Sequence, residues 1–182
     1  MPPFVQPPTA LTPVEYELAV KAILDATGSA LPEYGSWHLH TIAATDGDYV
    51  IDVVVKFSAL GASFVVLIEC KHEKRKIERQ DVQILKTKLD STSSHKGMLF
   101  AIAGFQSGAI EYADAHGIAL VQLVDGASTW HTRSNGPPTP PPPWVKLPKY
   151  VGWWHHGNLR SVLSPEYSQY TRVALGLPEG EA

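Results

Sequence analysis

The sequence predicts an α/β domain, a mixed sheet flanked by helices with the element order αβββαβαβ, and three observations lead there. Two apolar runs rich in β-branched residues, 50–57 and 64–68, are separated by the small-residue stretch 58–62 and read as a hairpin. Residues 98–103 (MLFAIA) and 118–124 (IALVQLV) are continuous apolar runs of the kind found in strands covered on both faces. Helical patterns precede the hairpin and separate the later runs, the alternation that crossover connections onto a shared sheet require.

Taken in order, residues 1–13 form a proline-rich N-terminal arm. A helix then starts at Pro13: Thr12 can cap it, Pro13 suits the first turn, and Glu15 supplies the capping-box partner. Tyr16, Val20, Ile23 and Leu24 give it an apolar stripe, and Gly28 is a natural stop. Residues 36–44 alternate as a strand, with His38 and His40 expected on one face. Thr45, Asp46, Gly47 and Asp48 form the turn into the next strand. After Lys71, residues 78–91 place Val82, Leu85 and Leu89 on one helical stripe, with Lys86 and Lys88 outside it. A short helix over residues 107–116 ends at Gly117. Residues 14–126 thus form the domain, 127–148 a Pro-rich linker containing PPTPPPP, and 149–182 an aromatic tail. That tail is too short for a core of its own and is expected to pack on the domain or on a partner.

Composition narrows the class. The chain has 182 residues, 44% hydrophobic, which suits a globular domain with a real core. No apolar run approaches a membrane span and the start lacks the pattern of a signal peptide, so a cytoplasmic location without membrane attachment is the expectation. The single cysteine, Cys70, excludes an internal disulfide framework and a Cys-rich zinc site. The net charge of −3 speaks against a generally basic surface, but residues 71–88 hold seven basic against three acidic side chains. Such a segment attracts a polyanion locally whatever the overall sign.

The chemistry concentrates around residues 49–71. Asp52 interrupts the first hairpin strand, and Glu69 and Lys71 close the second, projecting to one side while Cys70 projects to the other. A hairpin closing near residues 58–62 brings Asp52 back toward Glu69 and Lys71. Two carboxylates bearing on one small volume require a cation or a shared proton. Hard oxygen ligands suit Mg²⁺, with Mn²⁺ as an alternative, and the remaining positions can take water and phosphate oxygens. A lysine there can orient or deprotonate an attacking water or stabilise charge developing on phosphorus. The competing interpretation is an edge strand with Asp52 in solvent and a strand end carrying ordinary surface charges, since so short a pattern recurs by chance.

Asp52, sixteen intervening residues, then Glu69-Cys70-Lys71, with a preceding helix bearing Tyr16-Glu17 and a following helix, strand, helix and strand, resembles the PD-(D/E)xK nuclease superfamily. Within it the sequence is most similar to the Mrr-like restriction endonucleases. YELAVKAIL looks like their opening helix, IDVVV the metal-acid strand, LIECK the catalytic strand, and HKGMLFAIAGFQSGAIEYADAHGIALVQLVDG the closing strand-helix-strand. The resemblance implies a restriction-endonuclease-like sheet. It also implies Asp52, Glu69 and Lys71 as catalytic residues, with Asp52, Glu69 and the Cys70 backbone carbonyl as Mg²⁺ ligands. Glu17 corresponds to a supporting acid, and Gln83 to an accessory helix position. Lys74, Arg75, Lys76 and Arg79 are the candidate DNA contacts, with Gln83. Ile51 stands where the motif's name places proline, and Glu69 where Mrr-like members often carry glutamine.

The function expected from this is a divalent-metal-dependent endonuclease hydrolysing DNA phosphodiesters, in restriction or other defence against foreign DNA. Cutting both strands calls for a homodimer. With no DNA-reading module in view, a separate specificity subunit is a further expected partner. The alternatives are a catalytically silent nuclease-like module that binds nucleic acid or protein, and a junction or repair nuclease of the same fold.

Overall fold

A computed structural model of the chain describes residues 8–125, 149–157, 159–163 and 173–175. Most of the N-terminal arm, the Pro-rich linker 127–148 and much of the tail beyond 163 lie outside the described residues. The expected αβββαβαβ order is present, and two further strands follow it. Helix α1 spans Pro13–Gly28, followed by β1 (Gly35–Ala44), β2 (Gly47–Ala59) and β3 (Ala62–Lys71). Helix α2 (Arg79–Thr92), β4 (Lys96–Ala101), α3 (Ser107–Ala115) and β5 (Ala119–Asp125) complete that series. Strands β6 (Tyr150–His156) and β7 (Leu159–Leu163) extend it.

All seven strands form one sheet in sequential order. β1, β2 and β3 are antiparallel neighbours; β3, β4 and β5 run parallel; β6 and β7 return antiparallel. Local chemistry sets the first joints. The Thr12 hydroxyl accepts from the Glu15 amide while the Glu15 carboxylate accepts from the Thr12 amide, so the capping box read from sequence starts α1. The β2–β3 hairpin closes through Leu60 (φ 53°) and Gly61 (φ 79°), two successive left-handed residues as a type I′ turn demands. Ala59 pairs with Ala62 across it, which fixes the register down to Val53 opposite Ile68.

The sheet is covered on both faces. On one, Tyr16, Val20 and Leu24 of α1 bury Val53, Val55, Ile68, Phe100 and Val121. On the other, Val82, Leu85 and Leu89 of α2 and Ala109 and Ala113 of α3 bury Val54, Leu67, Leu99 and Leu120. Both crossover helices share that second face because right-handed βαβ units progressing in one direction must place them together. Gly97 is where α2 comes closest to β4: a Cβ there would stand 2.8 Å from Leu89 Cδ1 and 3.2 Å from Leu85 Cδ2. Gly97→Val is therefore expected to lower stability by about 1–3 kcal/mol through overpacking. A circular-dichroism melt unchanged by the substitution would show that the helix can back away from the sheet at no cost.

The tail strands complete the core. β6 pairs with β5 from Leu120 opposite His155 to Asp125 opposite Tyr150, and Val151 and Leu163 are buried. The aromatics Trp153 and Trp154 of this segment are half-buried in the sheet. Trp144, Tyr167 and Tyr170 lie outside the described residues.

Candidate active site

The candidate residues gather where β2 and β3 part. Their ladder ends at Val53 opposite Ile68, so Asp52 and Glu69 are each one position beyond the last pair. The Asp52 carboxylate bridges that gap itself, accepting the Cys70 amide at 2.7 Å from Oδ2. A side chain thus does what a ladder carbonyl would otherwise do, which anchors Asp52 to β3. The neighbouring strand shows why the backbone departs here. Leu39 of β1, at the position that would face Asp52, has φ 48°, and no pair joins the two in the ladder. A left-handed conformation is uncommon for leucine, and it breaks the strict alternation of faces.

That break corrects the expectation that His38 and His40 share a face. His38 pairs with Val53, which faces the α1 side, whereas His40 pairs with Ile51, which faces the α2 side. His38 then meets Glu17 of α1, Nε2 to Oε2 at 2.6 Å, and His40 stacks obliquely beside Trp37 at 5.8 Å between ring centroids. Glu17 of α1 is thus held by His38 of β1. Among the described residues no group of three or more His, Cys, Asp or Glu is placed to hold a metal ion.

Glu69 follows Leu67 on the α2-facing side of β3 and is buried, while Cys70 packs toward the α1 core. Its partner comes from across the layer: Lys88 of α2 donates from Nζ to Glu69 Oε1 at 2.6 Å. Burial pushes the Glu69 carboxyl above the usual range, the hydrogen bond and charge of Lys88 oppose that shift, the Asp52 charge adds to it, and Lys71 pulls it back. Asp52 and Lys71 are thus each near enough for their charge to act on Glu69. Burial likewise drives the Cys70 thiol well up, with Asp52, Glu17 and Glu69 adding, which leaves it a neutral core side chain and not a nucleophile.

The basic residues between β3 and α2 are partly committed. Lys74, Arg75, Lys76 and Arg79 are all exposed. Arg75 is held by Asp81 at 2.9 and 3.0 Å and by Glu73 at 2.7 Å, and Arg79 lies over the Tyr112 ring at 5.1 Å. Asp81 also accepts the Glu78 amide at the start of α2, so the Arg75 pair doubles as a helix cap. Gln83 is exposed on α2, and one and a half turns further along Lys88 reaches Glu69. Sequence reasoning counted Lys88 only as one basic residue among seven. The available signal was its position beside Leu85 and Leu89, on the flank of the buried stripe.

A family model described as restriction endonuclease, that of the Mrr catalytic domain, matches residues 9–128. The chain belongs to the Mrr-type restriction endonuclease family. Every candidate residue of this Mrr-type domain falls inside the matched span. The chain is also similar to a solved structure described as a protein of unknown function, AF1548, at 19% identity and a TM-score of 0.48, over 58% of this chain and 56% of that one. No curated protein matches the Mrr-type chain.

The donor set of this Mrr-type domain fits a small hard cation. Asp52 lies near enough for its charge to act on Glu69, and Mg²⁺ commonly takes only one or two carboxylates while keeping waters and substrate oxygens. No helix of the described residues is long and apolar enough to cross a membrane.

Proposed function

We propose that this Mrr-type domain is a Mg²⁺-dependent endodeoxyribonuclease, with Mn²⁺ as an alternative ion, acting in restriction or defence against foreign DNA. What supports the reading is that Asp52, one position beyond the last β2–β3 pair, accepts the Cys70 amide and that the charges of Asp52 and Lys71 both act on Glu69. Asp52, Glu69 and the Cys70 carbonyl would hold the ion, which when bound supplies charge neutralisation for the phosphate and lowers the pKa of a coordinated water. Lys71 stands on the same strand face as Glu69 and orients the attacking water or supports charge growing on phosphorus. Glu17, oriented by His38, supports the site from α1. Lys74, Lys76 and Arg79 line the approach as contacts to DNA phosphates, with Arg75 shaping the rim through Asp81. Cleavage of both strands is assigned to a homodimer, with sequence choice left to a separate subunit.

Incubation of purified protein with methylated and unmethylated plasmid tests this directly. Cleavage in Mg²⁺ or Mn²⁺ and none in chelator is the expected result. Retention of DNA in chelator with intact plasmid under both ions is instead the behaviour of a silent binding module. Preference for branched or nicked substrates over plain duplex marks a repair nuclease.

A further inference from the structure

We propose that Lys88 is a tethered cation that occupies the Glu69 carboxylate while the site is unloaded and competes with the divalent ion for it; the proposal rests on the nuclease reading above. Three observations carry it. The Lys88 ammonium sits 2.6 Å from Glu69 Oε1, and the two side chains are only 21% and 10% exposed, so the contact is not a loose surface pair. Lys88 also differs from the other lysine nearby on its helix: Lys86 takes Asp90 four residues on, at 2.6 Å from Oδ2, whereas Lys88 leaves the helix surface and reaches nineteen residues back to a strand. Finally, the acid it chooses lies one position beyond the last β2–β3 pair and is buried, and a buried ionised carboxylate needs a compensating charge.

The geometry gives the pair a consequence. An ammonium on Oε1 occupies a lone pair that an arriving ion would use, and its charge repels that ion. On loading, the flexible four-carbon stem lets the ammonium swing aside without moving α2. It is then placed to meet a non-bridging phosphate oxygen of the bound strand. Lys88 is in this view a positioning residue for Glu69, distinct from Lys71 on the strand itself.

Mn²⁺ affinity measured by calorimetry at pH 8 on the full chain, without DNA, tests this for the wild type, Lys88→Met, Lys88→Arg and Asp52→Asn. Lys88→Met is expected to bind Mn²⁺ about tenfold tighter, the scale for removing one positive charge within ~5 Å of a divalent ion under water-like screening. Lys88→Arg should match the wild type, and Asp52→Asn should bind much more weakly. Should Lys88→Met not fold, Lys88→Gln keeps a donor to Glu69 without the charge and must tighten binding as well. Unchanged or weaker binding in a folded, uncharged variant, with Asp52→Asn still defective, overturns the role of Lys88 and leaves the metal site standing. Mn²⁺ binding that is absent in the wild type, or indifferent to Asp52→Asn, overturns the nuclease reading and the Lys88 proposal together.

Discussion

On the proposed function, Asp52→Asn and Lys71→Ala are each expected to reduce metal-dependent plasmid cleavage by about 10³-fold or more, with the protein still folded and still binding DNA in chelator. Asparagine is the informative replacement at 52. Its side-chain oxygen can still accept the Cys70 amide that Asp52 now takes at 2.7 Å, so the joint between β2 and β3 survives and only the charge is lost. Asp52→Ala confounds the two effects, because it strands a part-buried amide at a cost of about 1–3 kcal/mol. At Lys71 the loss should appear in the cleavage rate under saturating metal, since the residue is assigned to the water and the phosphate and not to holding the ion. Wild-type cleavage rates in either variant would end the assignment of these residues.

His155 makes the fold acid-sensitive in a window set by its own titration. It is 6% exposed on β6, lies edge-on to Phe105 at 5.1 Å between centroids, and its Nε2 has no hydrogen-bond partner among the described residues. Burial, with the Arg160 charge adding, holds its pKa down at about 4 against the ordinary 6.5. The folded form therefore keeps the ring neutral where the unfolded chain protonates it. Its contribution is fully present above pH 6.5, is lost as pH falls, and is gone below about pH 4. Full expression of that difference is worth about 3 kcal/mol. His155→Phe keeps an aromatic ring against Phe105 and removes the titration. The stability gap between wild type and variant, from urea unfolding at pH 7 and pH 4, should shift by that amount in favour of the variant at low pH. A gap independent of pH would mean that the imidazole is charged or solvated in the folded protein.

The two predictions stand on different parts of the chain, and those parts were legible to different degrees. Thr12 with Glu15, the Leu60-Gly61 turn, and the Leu85 and Leu89 stripe depend on neighbours a few residues away, so their spacing alone announced α1, the β2–β3 hairpin and α2. β6 was not legible. YVGWWHH has neither alternation nor an unbroken aliphatic run, and its Gly152 sits where a Cβ would come within 2.7 Å of Val121 Cγ1. That glycine reads as a break in a sequence and serves as a close approach in the sheet. The two histidines of β1 failed for a related reason: period-2 reasoning holds only while the backbone stays extended, and Leu39 does not.

The sequence by itself determined the α/β class, the hairpin that folds Asp52 back toward Glu69 and Lys71, and the Mrr-type kinship. Only the tertiary structure decided that Lys88 is the cation on Glu69, that His38 takes Glu17, and that the tail closes the sheet against β5. The physical reason is range. Turns, caps and amphipathic stripes are set by backbone periodicity over a few residues. The partner of a buried charge is set by which helix flank happens to lie over it once two layers have packed, and no local period encodes that.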